Sequence, residues 1–134
     1  MNGLLNSGVS ITPLYAALLG LVMLVLSARV IAGVRAKGVG LGDGGDANNL
    51  VLIRSHGNFI EYVPMALILI GFAEAGGAAD GWIHGLGGAL LLGRILHPIG
   101  MSPSPDPNPF RFVGTVATLL VLLVSSGLVL YQQL

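Results

Sequence analysis

The chain has 134 residues, 54% of them hydrophobic and only 9% charged, with a mean hydropathy of +0.85. A water-soluble domain carries about 25% charged residues to cover its surface, so this composition excludes a soluble globular particle and implies an outer face made for lipid. Six Lys and Arg balance six Asp and Glu, and cysteine is absent, which excludes a phosphate-neutralising nucleic-acid partner, disulfides, thiolate metal sites and a cysteine nucleophile.

The predicted elements form one domain, residues 1–134, of four membrane spans. The first covers about residues 12–34, with Thr12 placed to cap it and Pro13 in its first turn. No Lys or Arg precedes Arg29, so the basic start of a signal peptide is missing and the segment reads as a retained span. The second, residues 48–75, is less pure, holding Arg54, His56, Asn58 and Glu61. The third runs from Asp80, a plausible N-cap, to about residue 101. The fourth covers residues 110–133. Each is long enough to cross a hydrocarbon core of ~30 Å at 1.5 Å per residue. The fold class is therefore an all-α integral membrane protein, an antiparallel bundle of four transmembrane helices.

The connections differ in kind. Residues 35–46, rich in glycine, form a flexible loop; residues 76–79 form a tight turn. Residues 102–109 read SPSPDPNP, and the prolines remove donors and force extended geometry. Loop one is flanked by Arg29, Arg35, Lys37 and Arg54, loop three by Arg94 and Arg111, while the tails and the tight turn contain no Lys or Arg. All the cations thus gather toward one side. The positive-inside tendency makes that side cytoplasmic and puts both termini outside.

Arg54, Asn58 and Glu61 fall at i, i+4 and i+7 and share one face of the second span. A charge at the bilayer centre costs ~2.5–3.5 kcal/mol on insertion scales, so Glu61 needs a partner, and Arg54 and Asn58 are the nearest within its helix. Arg94 and His97 lie near the same membrane side on span three. Arg111 opens span four and shares a face with Thr115 and Thr118, and Arg29 and Arg35 close span one. Such groups around one cavity suit a small ligand with several carboxylates and an ammonium: guanidiniums grip carboxylates in pairs, and Glu61 takes the ammonium. The same residues also fit a plainer role, as headgroup anchors or an interhelix network, and His97 fits a packed or headgroup histidine. His56 and His84 take no role, and the histidines share no metal-ligand spacing. GLGDGG lacks the ending and preceding strand of a phosphate loop and reads as a linker. Gly85, Gly88 and Ala89 offer a small-residue packing surface, and Pro64 and Pro98 are possible kink sites.

The stretch IRSHGNFIEYVP, the GDGG before it and the GRILH of span three resemble the MAPEG family, the membrane-associated proteins of eicosanoid and glutathione metabolism, in its short bacterial branch. The resemblance implies a left-handed bundle assembled as a homotrimer in a bacterial inner membrane. It implies glutathione, as thiol co-substrate, bound between subunits near the cytoplasmic leaflet by Arg54, Asn58, Glu61 and Tyr62, with Arg94, His97 and Arg35 contributing. Arg111 matches the arginine that activates the glutathione thiol. Where several eukaryotic members carry a tyrosine four residues after the GRxxH histidine, this chain has Met101, which cannot donate that hydrogen bond. The implied function is a glutathione transferase or peroxidase acting on lipophilic electrophiles or hydroperoxides that arrive from the bilayer, with no metal. Two other functions fit the same residues: a noncatalytic scaffold binding lipid or glutathione, and a small multidrug exporter working through Glu61.

Overall fold

The computed structural model describes residues 8–104 and 106–134. The N-terminal tail, residues 1–7, and Pro105 of the third loop lie outside the described residues. The described chain folds into α1 (Thr12–Ala36), α2 (Ala47–Ala75), α3 (Asp80–Ile99) and α4 (Pro109–Gln133), the all-helical bundle that the apolar runs predict. By length and composition α1, α2 and α4 can each cross a membrane, with mean hydropathies of 2.3, 1.4 and 2.3. The shorter α3 turns Arg94 and His97 inward, while its other histidine, His84, stays exposed.

Helix α1 packs on α2 and α3, and α4 packs on the same two, while α1 and α4 make no contact with each other. Helices α2 and α3 therefore form the central pair, flanked by α1 and α4. Leu19, Phe59, Val63, Ala66, Ile70, Ile83, Leu90 and Val121 make the apolar interior. Large apolar side chains such as Leu21, Leu24, Phe72, Leu92, Phe112 and Leu123 cover the outside. Exposing such a surface to water is unfavourable, whereas exposing it to lipid tails is not.

The helix ends explain the turns. Gly77, at φ +87, ends α2: its N–H donates to Glu74 O at 2.9 Å and the N–H of Ala78 reaches Ala73 O at 3.0 Å. Gly38, at φ +65, ends α1 in the same way through Val39 N to Val34 O at 2.9 Å. Both are Schellman closures, which need a left-handed residue and so favour glycine. Asp46 caps α2, accepting from Asn48 N at 2.9 Å and Asn49 N at 3.1 Å, while Lys37 Nζ lies 3.2 Å from its carboxylate. Those amides, Asn49's foremost, and the Lys37 ammonium hold the Asp46 carboxyl below its ordinary pKa.

Two expected caps are corrected. Ile11, not Thr12, occupies the N-cap of α1, and no cap-residue side chain closes it. The carboxylate of Glu74 does so from another helix, accepting from Ser10 N at 2.7 Å, Ile11 N at 2.6 Å and Thr12 N at 2.8 Å. Asp80 is the first residue of α3, and Ala79 holds its N-cap position. The helix ends at Ile99, leaving Met101 beyond it. Pro64 and Pro98 sit inside continuous helices.

Close packing also falls elsewhere than expected. Around Gly85 a side chain would meet open space, and at Gly88 a Cβ would only touch the Tyr15 hydroxyl at 4.0 Å. The tight approaches of α3 are at Gly87, under the Tyr15 ring, and at Gly93, where an added Cβ would lie 3.1 Å from Gly114 O.

Candidate functional site

The end of the bundle formed by the C-termini of α1 and α3 and the N-termini of α2 and α4 carries Arg29, Arg35, Lys37, Arg54, Arg94 and Arg111. Its centre is Arg94. This side chain is 1% exposed, and its guanidinium spans two neighbours. Nη1 donates to Asn58 Oδ1 of α2 at 2.7 Å, and Nη2 donates to the carbonyl of Gly114 on α4 at 3.0 Å. Burying a guanidinium among apolar helices is unfavourable unless its donors are met. Its Nε makes no hydrogen bond among the described residues.

The Gly114 carbonyl is available because α3 and α4 nearly touch there. A Cβ on Gly114 would lie 2.6 Å from Gly93 O and 2.8 Å from His97 N, so two glycines let the backbones meet. Thr118 Oγ1 donates to the same carbonyl at 2.8 Å. His97 is buried at this crossing, one turn from Arg94. Further along, Gly100 lies against the backbone N of Arg111 and the side chain of Asn108, which caps α4 through Phe110 N at 2.9 Å. The end of α3 thereby fixes where α4, and so Arg111, begins.

Arg54 and Glu61 face outward from α2, with Arg54 Nη1 3.5 Å from Glu61 Oε1 and both side chains about half exposed (55% and 49%). Gly57 lies beneath the pair; a Cβ there would be 3.6 Å from Arg54 Nη1 and 4.0 Å from Glu61 Oε1. The partner expected for Glu61 is therefore Arg54. Tyr62 is half-buried on the same helix.

Arg111 is exposed and lines an open cleft of about 520 Å³ with Asp106, Asn108, Phe112 and Thr115. Its guanidinium has no hydrogen bond or ion pair among the described residues. Arg35, in the last turn of α1, is exposed and likewise unpaired. Within one chain the structure thus brings together Asn58, Arg94 and the α4 backbone, with His97 beside them, and pairs Arg54 with Glu61. It does not gather Arg35, Arg54 and Arg111 around one enclosed cavity: the cleft at Arg111 is lined by the third loop and α4 alone.

The histidines left without a role have structural partners. His56 Nε2 lies 3.0 Å from Ser27 Oγ, and His84 Nδ1 lies 3.0 Å from the Tyr15 hydroxyl. Among the described residues no cluster of His, Asp and Glu could hold a metal ion. Sequence reading missed Glu74 and the Gly93–Gly114 crossing. A carboxylate in the last turn of a helix opposes the helix dipole, and that misplacement is the signal that could have found Glu74.

These observations describe a polytopic membrane protein with a polar, cation-rich site at one end of its helices. The MAPEG family model matches residues 12–131, and the chain belongs to that family. It is 38% identical over 90 residues to the inner membrane protein YecN of Escherichia coli strain K12, an alignment covering 67% of this chain and 69% of that protein. The YecN protein of Escherichia coli O6:H1 gives the same identity and coverage. No solved structure matches the chain significantly.

Proposed function

We propose that this protein is a glutathione-dependent enzyme of a bacterial inner membrane, transferring glutathione to lipophilic electrophiles or reducing hydroperoxides. Arg111 is the catalytic residue. A free thiol of pKa ~8.5 is mostly protonated at neutral pH, and a guanidinium beside the sulfur stabilises the thiolate and lowers that pKa. The thiolate then attacks the electrophile. In the hydroperoxide case, attack on the peroxide oxygen breaks the O–O bond, giving an alcohol and a sulfenic glutathione. A second glutathione converts that to the disulfide with loss of water.

Arg54, Asn58, Glu61, Tyr62, Arg94, His97 and Arg35 form the binding set, Arg94 chiefly by holding Asn58 in place. The observation that carries the reading is the contrast among the arginines in a MAPEG chain. Arg94 is consumed in locking α2, α3 and α4 together, whereas Arg111 is exposed and unpaired beside an open cleft. Because Arg35, Arg54 and Arg111 do not close on one another within a chain, glutathione sits between subunits of a homotrimer. Loops one and three are cytoplasmic, where glutathione is abundant, and both termini are outside.

Adding glutathione to the purified protein should raise ultraviolet thiolate absorbance, and Arg111→Ala should abolish the rise and slow turnover by about 10²–10³-fold, the scale of losing one preorganised charge-stabilising group. Unchanged turnover in that variant sinks the catalytic role. Met101, in place of the family tyrosine, favours a second reading, a scaffold that binds glutathione or lipid without chemistry. Binding without thiolate formation would select it. An exporter working through Glu61 is disfavoured by the Arg54 guanidinium 3.5 Å away, which already pairs with the carboxylate and repels cationic cargo.

A further inference from the structure

One arginine belongs neither to the central network nor to the proposed glutathione site. Arg29 lies seven residues before the end of α1 at Ala36, about 10 Å along the helix axis. It is exposed and makes no hydrogen bond or ion pair among the described residues. It stands at one end of a groove of about 320 Å³ between α1 and α3, whose other walls are apolar: Leu21, Val22, Val25 and Leu26 from α1, and Ile95 and Ile99 from α3. From Leu21 to Arg29 the groove follows α1 for about 12 Å.

A guanidinium this far inside a membrane helix needs an anion. The next three carboxylates along the chain are engaged elsewhere: Asp43 accepts from Gly45 N, Asp46 pairs with Lys37 and Glu61 with Arg54. A groove with greasy walls and one unpaired cation at its end matches an amphipathic molecule with an acyl chain and an anionic head. In a bilayer the molecule of that chemistry always present is an anionic phospholipid. We infer that the α1–α3 groove is a binding site for an anionic phospholipid, its acyl chain lying along Leu21, Val25 and Ile95 and its phosphodiester held by Arg29. The guanidinium meets phosphate oxygens through paired hydrogen bonds, and its long stem lifts the charge toward the headgroup level. The groove lies between α1 and α3, whereas the cleft at Arg111 is lined by the third loop and α4, and the two share no residue.

The test is native mass spectrometry of the full-length protein, released from bilayers of mixed phosphatidylglycerol and phosphatidylcholine, with Arg29→Gln and Val25→Phe as variants. Both should keep native helicity and elution, since neither touches the central network. Wild-type protein should retain phosphatidylglycerol over phosphatidylcholine. Arg29→Gln should lower that preference about fivefold, the scale of one arginine at an anionic surface. Val25→Phe, which fills the groove but keeps the charge, should reduce retention of both lipids. If Val25→Phe leaves phosphatidylglycerol retention intact, Arg29 is only a snorkelling anchor and the site does not exist. A change in oligomeric state with Arg29→Gln, without a change in lipid, would assign the groove to a second copy of the chain and equally overturn the proposal. Inorganic phosphate should not displace the lipid; displacement would show that the groove contributes nothing.

Discussion

At the residue scale the arginines divide by what they touch. Arg94 donates to acceptors on two neighbouring helices, Asn58 Oδ1 and Gly114 O, the second of which it shares with Thr118 Oγ1. Replacing it with methionine keeps the volume but removes both donations, and interhelical hydrogen bonds within membranes are worth about 0.6–1.7 kcal/mol each. Arg94→Met should therefore lower unfolding stability in detergent by about 1–3 kcal/mol, with Arg94→Lys giving little rescue, because one ammonium does not replace the fixed fork. A melting temperature equal to wild type in Arg94→Met would show that the bridge is not made. Glu61 makes the opposite case. Its pairing with Arg54 is half exposed, and exposed ion pairs contribute about 0–1 kcal/mol. Glu61→Gln should thus leave the melting curve nearly unchanged while weakening glutathione binding, a separation that a purely structural network would not show.

At the element scale the bundle is held at its two ends by different devices. At one end Glu74 of α2 receives the first free amides of α1, and Gln132 of α4 donates to Ala73 O at 2.9 Å. Glu74→Ala should cost about 1–2 kcal/mol, as loss of a helix cap does, and should speed amide exchange over the first turn of α1 while α3 stays protected. At the other end, the glycine crossing of α3 and α4 fixes Arg111 relative to Arg94. Gly114→Ala should cost about 1–3 kcal/mol through overpacking, with its added methyl directed at Gly93 O and His97. Loop one is tied to α2 by Asp46. Because the folded pKa of Asp46 is depressed, its contribution is fully present above the unfolded value and is lost as pH falls through and below about 4. Amide exchange at Asn48 and Asn49 should accelerate in that acid range, and Asp46→Asn should remove the pH dependence.

At the scale of the whole molecule, much was legible from the sequence for a simple reason. A membrane span announces itself through a long apolar run, so the helices stood out. The i, i+4, i+7 spacing put Arg54, Asn58 and Glu61 on one face before any neighbour was known, and the Arg54–Glu61 contact followed within a single helix. What could not be read depends on neighbours. Nothing local distinguishes buried Arg94 from exposed Arg111, since their difference lies in which acceptors the adjoining helices present. Thr12 looked like a cap because caps are sought nearby in sequence, whereas its helix is closed by a carboxylate 62 residues away. Gly85 and Gly88 looked like packing positions by composition, but Gly87 and Gly93 face the neighbours because the rotation of α3 in the bundle decides it.

In the proposed function, guanidiniums and one carboxylate at the cation-rich end hold glutathione. Isothermal calorimetry of the detergent-purified protein with glutathione tests it most directly, repeated on Arg54→Ala and Glu61→Gln. Saturable binding by wild type, lost in both variants while their melting curves persist, is the predicted result. No heat with wild type, or undiminished binding in both variants, would contradict it.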